Sequence, residues 1–323
     1  METDKPLISI LMAVYEPQMD WLREQLESLE AQTYPHLRLY IRDDCSPTVP
    51  FSKIEELVQA CIHSFPCELK RNQENLGSNQ TFAQLTREAE GAYFAYSDQD
   101  DIWLPDKLEI LQSELETGGA LLACSDMYII NAKGEIVADS MTKVRRHHRF
   151  QSGTGLAQGL LFHNFAAGCA MLVRAEEARA ALPFCPYMVH DHYIALRCAE
   201  RGAVRSVDRR LIRHRIHGGN QTGLLTGVTD KTSYGQVRIQ AMFQRLQWLN
   251  ENAAWSEQTK RVLDESIVWL RAREQNWNSR GGKRILWKYR RFEPLFTVFE
   301  LLAARLPERA FRLCIQMGKR NWV

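Results

Sequence analysis

Asp98, Asp100 and Asp101 place three carboxylates within four residues, in the run Ser97-Asp98-Gln99-Asp100-Asp101. Anions this close repel one another. A divalent cation relieves the repulsion most simply, and oxygen ligands suit Mg²⁺ or Mn²⁺. The plainer reading is an acidic turn that caps the helix at 106. Two earlier stretches end alike, Val14-Tyr15-Glu16 and Asp43-Asp44. Asp191, between His190 and His192, opens an amphipathic stretch, where an aspartate is a favoured helix cap. His190 and His192 face apart on a helix, which argues against a shared metal. Together the acidic groups could hold a metal and a phosphate.

The elements that must position these groups are legible around them. Ile8–Met12 is almost wholly apolar, as a strand buried on both faces requires. Leu37–Ile41 and Ala92–Tyr96 read as further strands, the second delivering the acidic run. Helices follow from Pro17, over 51–64 and over 79–89, with a short strand near Cys67–Leu69 between them. Strands alternating with helices imply a parallel sheet covered on both faces. Its strand ends share one edge, so Tyr15-Glu16, Asp43-Asp44 and Asp98–Asp101 converge on one crevice. Asp43 is expected to turn its own loop, and Trp103 to lie in the core. Pro105 suits the first turn of the next helix.

Further on, 120–130 reads as a strand turned at Asn131–Gly134 and 139–155 as a basic mobile loop. A strand at Gly168–Val173, a helix from His190 to Arg201 and a last strand over Leu211–His217 follow. From about 229 the pattern becomes all-helical, with Asp230 and Ser256 as caps. Neither a P-loop nor a dinucleotide-binding glycine pattern occurs.

Residues 8–16, Ile41–Ser46, Asn72–Gly77 and Ser97–Leu108 resemble, in order and spacing, the successive motifs of glycosyltransferase family 2. The resemblance implies an α/β fold of GT-A type, with a mostly parallel nucleotide-binding sheet and a C-terminal all-helical appendage. The form Ser-Asp-Gln-Asp-Asp-Ile-Trp-x-Pro-Asp-Lys is similar to a bacterial subgroup described as rhamnosyltransferases of cell-surface polysaccharide synthesis. By resemblance, Asp44 would hydrogen-bond the nucleobase, and Val14, Tyr15 and Glu16 would line the nucleotide with Asn75 and Gln99. Asp98 would hold the ribose or the metal, and Asp100 would ligate the Mg²⁺ or Mn²⁺ that bridges the diphosphate. Asp191 falls where the family has its catalytic base. His217, a further metal ligand, and Asn220 resemble a late His-Gly-x-Asn motif that closes on the diphosphate. Two residues depart from the family pattern: Cys45 stands where glycine is usual, and Ala13 where threonine or serine is common.

The implied reaction is inverting transfer of a sugar, rhamnose among the options, from a dTDP- or UDP-sugar to a hydroxyl of a saccharide or lipid-linked acceptor. A nucleotidyltransferase would want a basic motif near the first strand, and Ala13–Glu16 has none. A non-catalytic sugar-nucleotide binder would leave the base position empty, and Asp191 fills it.

The division expected is a catalytic domain over 1–225 and a helical region over 226–323 that serves a membrane surface or oligomerisation. Net charge is +2 overall, but residues 281–323 alone carry +7. With Phe292, Leu295, Phe296, Phe299, Leu302 and Leu306 at helical spacing, this tail fits either packing of the stripe on the helices over 230–280, with its arginines solvated, or an anionic membrane surface. No nucleic-acid partner is expected. Eight scattered cysteines read as reduced, buried thiols, and the polar opening runs straight into a strand. No apolar run reaches the ~18 residues that span a bilayer. A cytoplasmic protein, peripheral on the inner face of the plasma membrane, is the expectation.

Overall fold

The structure, a computed structural model, describes residues 5–145, 148–217, 227–279 and 281–320. It divides into two compact units, Met1–Phe184 with Val189–His217, and Cys185–Met188 with Gly218–Val323.

The first unit is built on one sheet of nine strands. They are β1 (Ile8–Val14), β2 (Leu37–Asp43), β3 (Cys67–Arg71), β4 (Tyr93–Ser97), β5 (Ile102–Trp103), β6 (Leu122–Ile130), β7 (Ile136–Ala138), β8 (Met171–Arg174) and β9 (Val204–Arg215). The order is β3-β2-β1-β4-β8-β6-β9-β5, with β7 beside β6. β1 to β4 are mutually parallel, as is the β6–β9 pair, whereas β8 and β5 run antiparallel to their neighbours. This is the mostly parallel α/β sheet expected. Apolar β1 is buried on both faces, and the helices Met19–Glu30 and Phe51–Cys61 pack Leu22, Leu26, Leu29, Ile54 and Leu57 into the same core. Each such side chain contributes roughly 1.5–3 kcal/mol.

Register sets the crevice. Val14 lies level with Asp43, and Met12 with Ser97. Residues 15, 44 and 98 therefore leave the sheet side by side, each at a strand's carboxyl end.

Several elements differ from the sequence reading. The last strand begins at Val204, because pairing with β6 overrides the polar run Arg205–Arg210. The stretch 139–155 contains a short helix, Met141–Val144, and Gly153 bridges to Val204. A 3₁₀ turn, Gly168–Ala170, precedes β8. Pro105 stays outside the helix Lys107–Gly118. Asp106 makes no side-chain cap there and pairs with Arg209 instead. Two of the eight cysteines, Cys67 and Cys314, are exposed.

The second unit is helical. Asp230 and Ser233 form a capping box ahead of Lys231–Tyr234, which continues through a π-helical stretch, Gly235–Gln240, into Ala241–Asn252. The long helix Glu257–Ser279 is followed by Lys283–Lys288, Pro294–Ala303 and Glu308–Arg320. Tyr234, Ile239, Phe311 and Ile315 form its core, with Trp277 stacked on Tyr234 at 4.7 Å. The tail's apolar stripe is not one face: Phe299 and Leu306 pack on this core, whereas Leu295 and Leu302 point outward. No helix among the described residues is long and apolar enough to cross a membrane.

Candidate active site

The loop after β1 and the acidic run are clipped together by one side chain. Gln99 accepts from the Tyr15 backbone N–H at 2.8 Å and donates to its carbonyl at 3.0 Å. Both ends of that amide are thus spent on backbone, and the exposed Tyr15 ring is held at the mouth of the crevice. Val14 is buried, and its carbonyl accepts from the Asp44 N–H at 2.7 Å. Glu16 turns aside. Its backbone is left-handed at φ 45°, and its carboxylate accepts from the Thr48 N–H at 2.8 Å and the Val49 N–H at 3.2 Å. Those bonds, with one from the Thr48 hydroxyl, hold it below the usual carboxylate range.

Asp44 organises the loop beneath. Its carboxylate accepts from Asn72 Nδ2 at 2.7 Å, the Leu76 N–H at 2.9 Å and the Gly77 N–H at 2.8 Å. An ionised carboxylate has about four acceptor positions, so one is left for a ligand. Asn75 is exposed, and its Oδ1 shares the Gly77 N–H at 3.1 Å. Asp43 accepts from the Ser46 hydroxyl at 2.6 Å and pairs with Arg71 at 3.1 Å, turning the loop as expected. Cys45, directly after the two aspartates, has φ 60°, the left-handed region that glycine occupies without cost.

The acidic run is held from below by side chains that the sequence reading did not single out. Buried Asp101 accepts from His214 Nδ1 at 2.9 Å and the Arg215 N–H at 3.0 Å. Burial alone would lower His214, but the charge and hydrogen bond of Asp101 raise it to about 9. Buried Arg215 donates through Nε to the Asp100 carbonyl at 2.8 Å, and its terminal nitrogens reach Glu24 and the carbonyls of Asn131 and Ala132. The buried Lys107 Nζ donates to the Cys169 carbonyl at 2.5 Å and lies against the Trp103 ring, itself buried as expected.

Above this base, Asp98 and Asp100 face outward, partly buried. Asp98 is held well above the ordinary carboxylate range by desolvation and by the negative charges of Asp101 and Asp100. Among the described residues no donor reaches its side chain. Asp100 is raised for the same reasons, offset by His217, whose Nε2 lies 2.7 Å from Asp100 Oδ2. The His217 ring rests on Trp21 at 4.9 Å. Asn220 lies outside the described residues.

Two donor sets could take a metal. Asp101, Cys169 and His214 bring one ligand atom each within 4.8 Å of one another. Burial and the charges of Asp101 and Asp98 keep the Cys169 thiol protonated, so that trio suits no hard cation. Asp98, Asp100 and His217 close only in part, through the Asp100–His217 contact. Mg²⁺ and Mn²⁺ are commonly held by one or two carboxylates, with substrate phosphates and water completing the shell. Asp98, raised and without a donor, beside Asp100 fits that mode.

Asp191 lies in the first turn of the helix His190–Arg201, whose N-cap residue is Val189. Its carboxylate accepts from the Gly168 N–H at 2.7 Å, from its neighbour His192 N–H and from Asn164 Nδ2 at 3.3 Å. It therefore ties the helix to the turn before β8 rather than only capping its own helix. A Cβ on Gly168 would stand 3.2 Å from the Asp191 Cβ, so this approach needs glycine or a shift of its neighbours. Desolvation raises Asp191 to about 6 against these hydrogen bonds, and its charge is close enough to Asp98 to raise that group in turn. The flanking histidines are occupied elsewhere: His190 stacks on Phe82 at 4.0 Å, and His192 Nε2 lies 2.6 Å from the Leu160 carbonyl.

Known proteins share both the sequence motifs and the fold. An uncharacterized glycosyltransferase of Methanocaldococcus jannaschii is 32% identical over 144 residues, 43% of this chain and 47% of its own length. TuaG of Bacillus subtilis, whose name places it in teichuronic acid biosynthesis, is 33% identical over 107 residues, 32% of this chain and 40% of its own length. The chain thus spans less than half the length of these relatives. Residues 1–349 of S. aureus TarS, solved with UDP-GlcNAc, superpose with a TM-score of 0.57 at 14% identity, over 92% of this chain and 84% of that one. The mannosyltransferase PcManGT of Pyrobaculum calidifontis, solved with GDP-Man and Mn²⁺, gives 0.55 at 15% identity, over 96% and 84%. At these identities the structures share the fold. The glycosyl transferase family 2 profile matches residues 9–177, just over half of the chain, and the chain belongs to that family.

Proposed function

We propose that this chain is an inverting, metal-dependent glycosyltransferase that moves a sugar from a nucleoside-diphosphate sugar to a hydroxyl of a cell-surface saccharide or lipid-linked acceptor. The observation that carries the reading is the pairing of an under-compensated carboxylate pair, Asp98 and Asp100, with a separately held, raised carboxylate, Asp191, whose field reaches Asp98. In this reading Asp44, Val14, Tyr15 and Asn75 receive the nucleoside. Gln99 and Glu16 act from behind by fixing the loops. Asp98, Asp100 and His217 would hold Mg²⁺ or Mn²⁺, which when bound would supply positive charge against the leaving diphosphate. Asp191 takes the proton of the attacking hydroxyl, and a single base on the far side of the sugar suffices for inversion. A carboxylate near 6 is suited to this, being ionised at neutral pH yet more basic than an ordinary aspartate.

The nucleotide sugars and Mn²⁺ named with TarS and PcManGT support a donor of this class, and the polymer named with TuaG supports a cell-surface acceptor. The Asp-Gln-Asp-Asp-Ile-Trp form makes dTDP-rhamnose the first donor to try. The test is a donor screen measuring release of nucleoside diphosphate, with Mg²⁺, with Mn²⁺ and with chelator. Metal-dependent release from one donor supports the reading, and no release from any donor with a saccharide acceptor present opposes it.

A further inference from the structure

Helix Pro294–Ala303 is apolar on two sides, and the fold uses only one. Thr297, Glu300 and Ala303 are buried in the helical unit. On the other side Leu295, Val298 and Leu302 are 69%, 47% and 63% exposed. Their spacing of three and four residues puts them in one row along the helix. Arg290 and Arg291 lie just ahead of this row and Arg305 just after it, all exposed. Trp287, half exposed, carries the Arg290 guanidinium 4.6 Å over its ring.

Charge decides what such a face can meet. Every described Lys and Arg between 283 and 312 is exposed. Of the three acids there, Glu293 and Glu300 are buried, Glu300 against Arg273, and exposed Glu308 is paired with Arg312, while Arg291 pairs with Glu265 of the long helix. Folding thus withdraws negative charge from the surface and leaves it more basic than composition alone implies. A second copy of the chain would bring like charge against like. A polyanion without an apolar phase would leave the leucine row in water. A bilayer interface with anionic headgroups answers both, since acyl chains take up the leucines while headgroups meet the arginines and Trp287.

We propose that the outward row Leu295–Val298–Leu302, with the arginines at its ends, seats the helical unit on an anionic membrane surface. The test is co-sedimentation of the full chain with phosphatidylcholine vesicles, with and without phosphatidylglycerol. Wild type should sediment with the anionic vesicles at low salt and come off as salt screens the arginines. The R290Q/R291Q/R305Q variant should lower the partition coefficient on the order of a hundredfold, from the usual contribution of each basic residue near such a surface. L295Q/L302Q should weaken binding while leaving circular dichroism and the melting temperature unchanged, because both side chains are exposed. Absence of binding at low salt, or equal binding to neutral vesicles, would overturn the proposal. So would vesicle-free self-association that L295Q/L302Q abolishes, since a second copy would then cover the row. These readouts use no donor sugar, so they stand or fall apart from the catalytic reading.

Discussion

Two clusters of buried or partly buried charge, one in each unit, are balanced in opposite ways. In the helical unit, Arg273 donates through Nε to Glu300 at 2.8 Å and again through its terminal nitrogen, Tyr234 adds a hydroxyl at 2.9 Å, and Asn276 donates to the Glu300 carbonyl at 3.1 Å. Each charge there meets its opposite in bidentate geometry. In the sheet unit, His214 meets Asp101 and His217 meets Asp100, and among the described residues no donor reaches the Asp98 side chain. Lys107 lies beneath them, but desolvation drives it far towards the neutral amine. A completed cluster stabilises the fold. An incomplete one at a sheet edge costs stability unless a ligand completes it.

The comparison is broken most severely at Asp100. Asp100→Ala should abolish turnover and remove the metal dependence of nucleotide binding. Calorimetric titration with nucleotide, with and without Mn²⁺, measures this, and wild-type metal dependence in the variant would remove Asp100 from the metal site.

In the helical unit, Glu300→Gln should leave Arg273 buried without its counter-charge. A loss of roughly 3–5 kcal/mol in unfolding free energy is expected, as when one member of a buried pair is removed. Denaturant titration reads it, and a loss below about 1 kcal/mol would show the pair to be less desolvated than its burial implies.

Asp191→Asn keeps the shape and one acceptor but takes up no proton. Transfer should fall by about 10² or more, in the range of general-base contributions, with donor binding near wild type. The wild-type rate should climb with pH through about 6, where Asp191 ionises, and then level off. Stability runs the other way: a carboxyl raised by folding favours the fold at low pH, and its contribution is lost as pH rises through about 6. A flat rate profile between pH 5 and 7 would assign the proton to another group.

The smallest effect is expected at Cys45. Replacing a residue at φ 60° by glycine relieves left-handed strain, so Cys45→Gly should gain up to about 1 kcal/mol, partly offset by chain entropy. A melting temperature lower than wild type would show that the thiol contact with the Gln73 carbonyl, 3.6 Å away, outweighs the strain.

Much of the sheet was legible because its central strands are apolar and its strand ends polar, and parallel pairing brings ends together whatever the details. The acidic run, Asp44 and Asp191 stood out because carboxylates cluster at strand and helix ends there, although Asp44 and Asp191 also hold their loops by hydrogen bonds. Side-chain direction was not legible. Gln99 and Glu16 sit in the right motifs, yet their polar groups bind the Tyr15 backbone and the Thr48–Val49 turn, because the nearest unsatisfied backbone donors and acceptors lie there. His214, Arg215 and Lys107 gain their positions from β9 and from the helix Lys107–Gly118 packing under the acidic loop, contacts more than sixty residues apart in sequence. In the tail, helical periodicity identified apolar residues and the excess of positive charge. Only tertiary packing decided that Phe299 turns inward with Glu300 while Leu295 and Leu302 remain in solvent. A helix apolar on both sides has no preferred face of its own, and the neighbour it meets first, here Glu257–Ser279, chooses one.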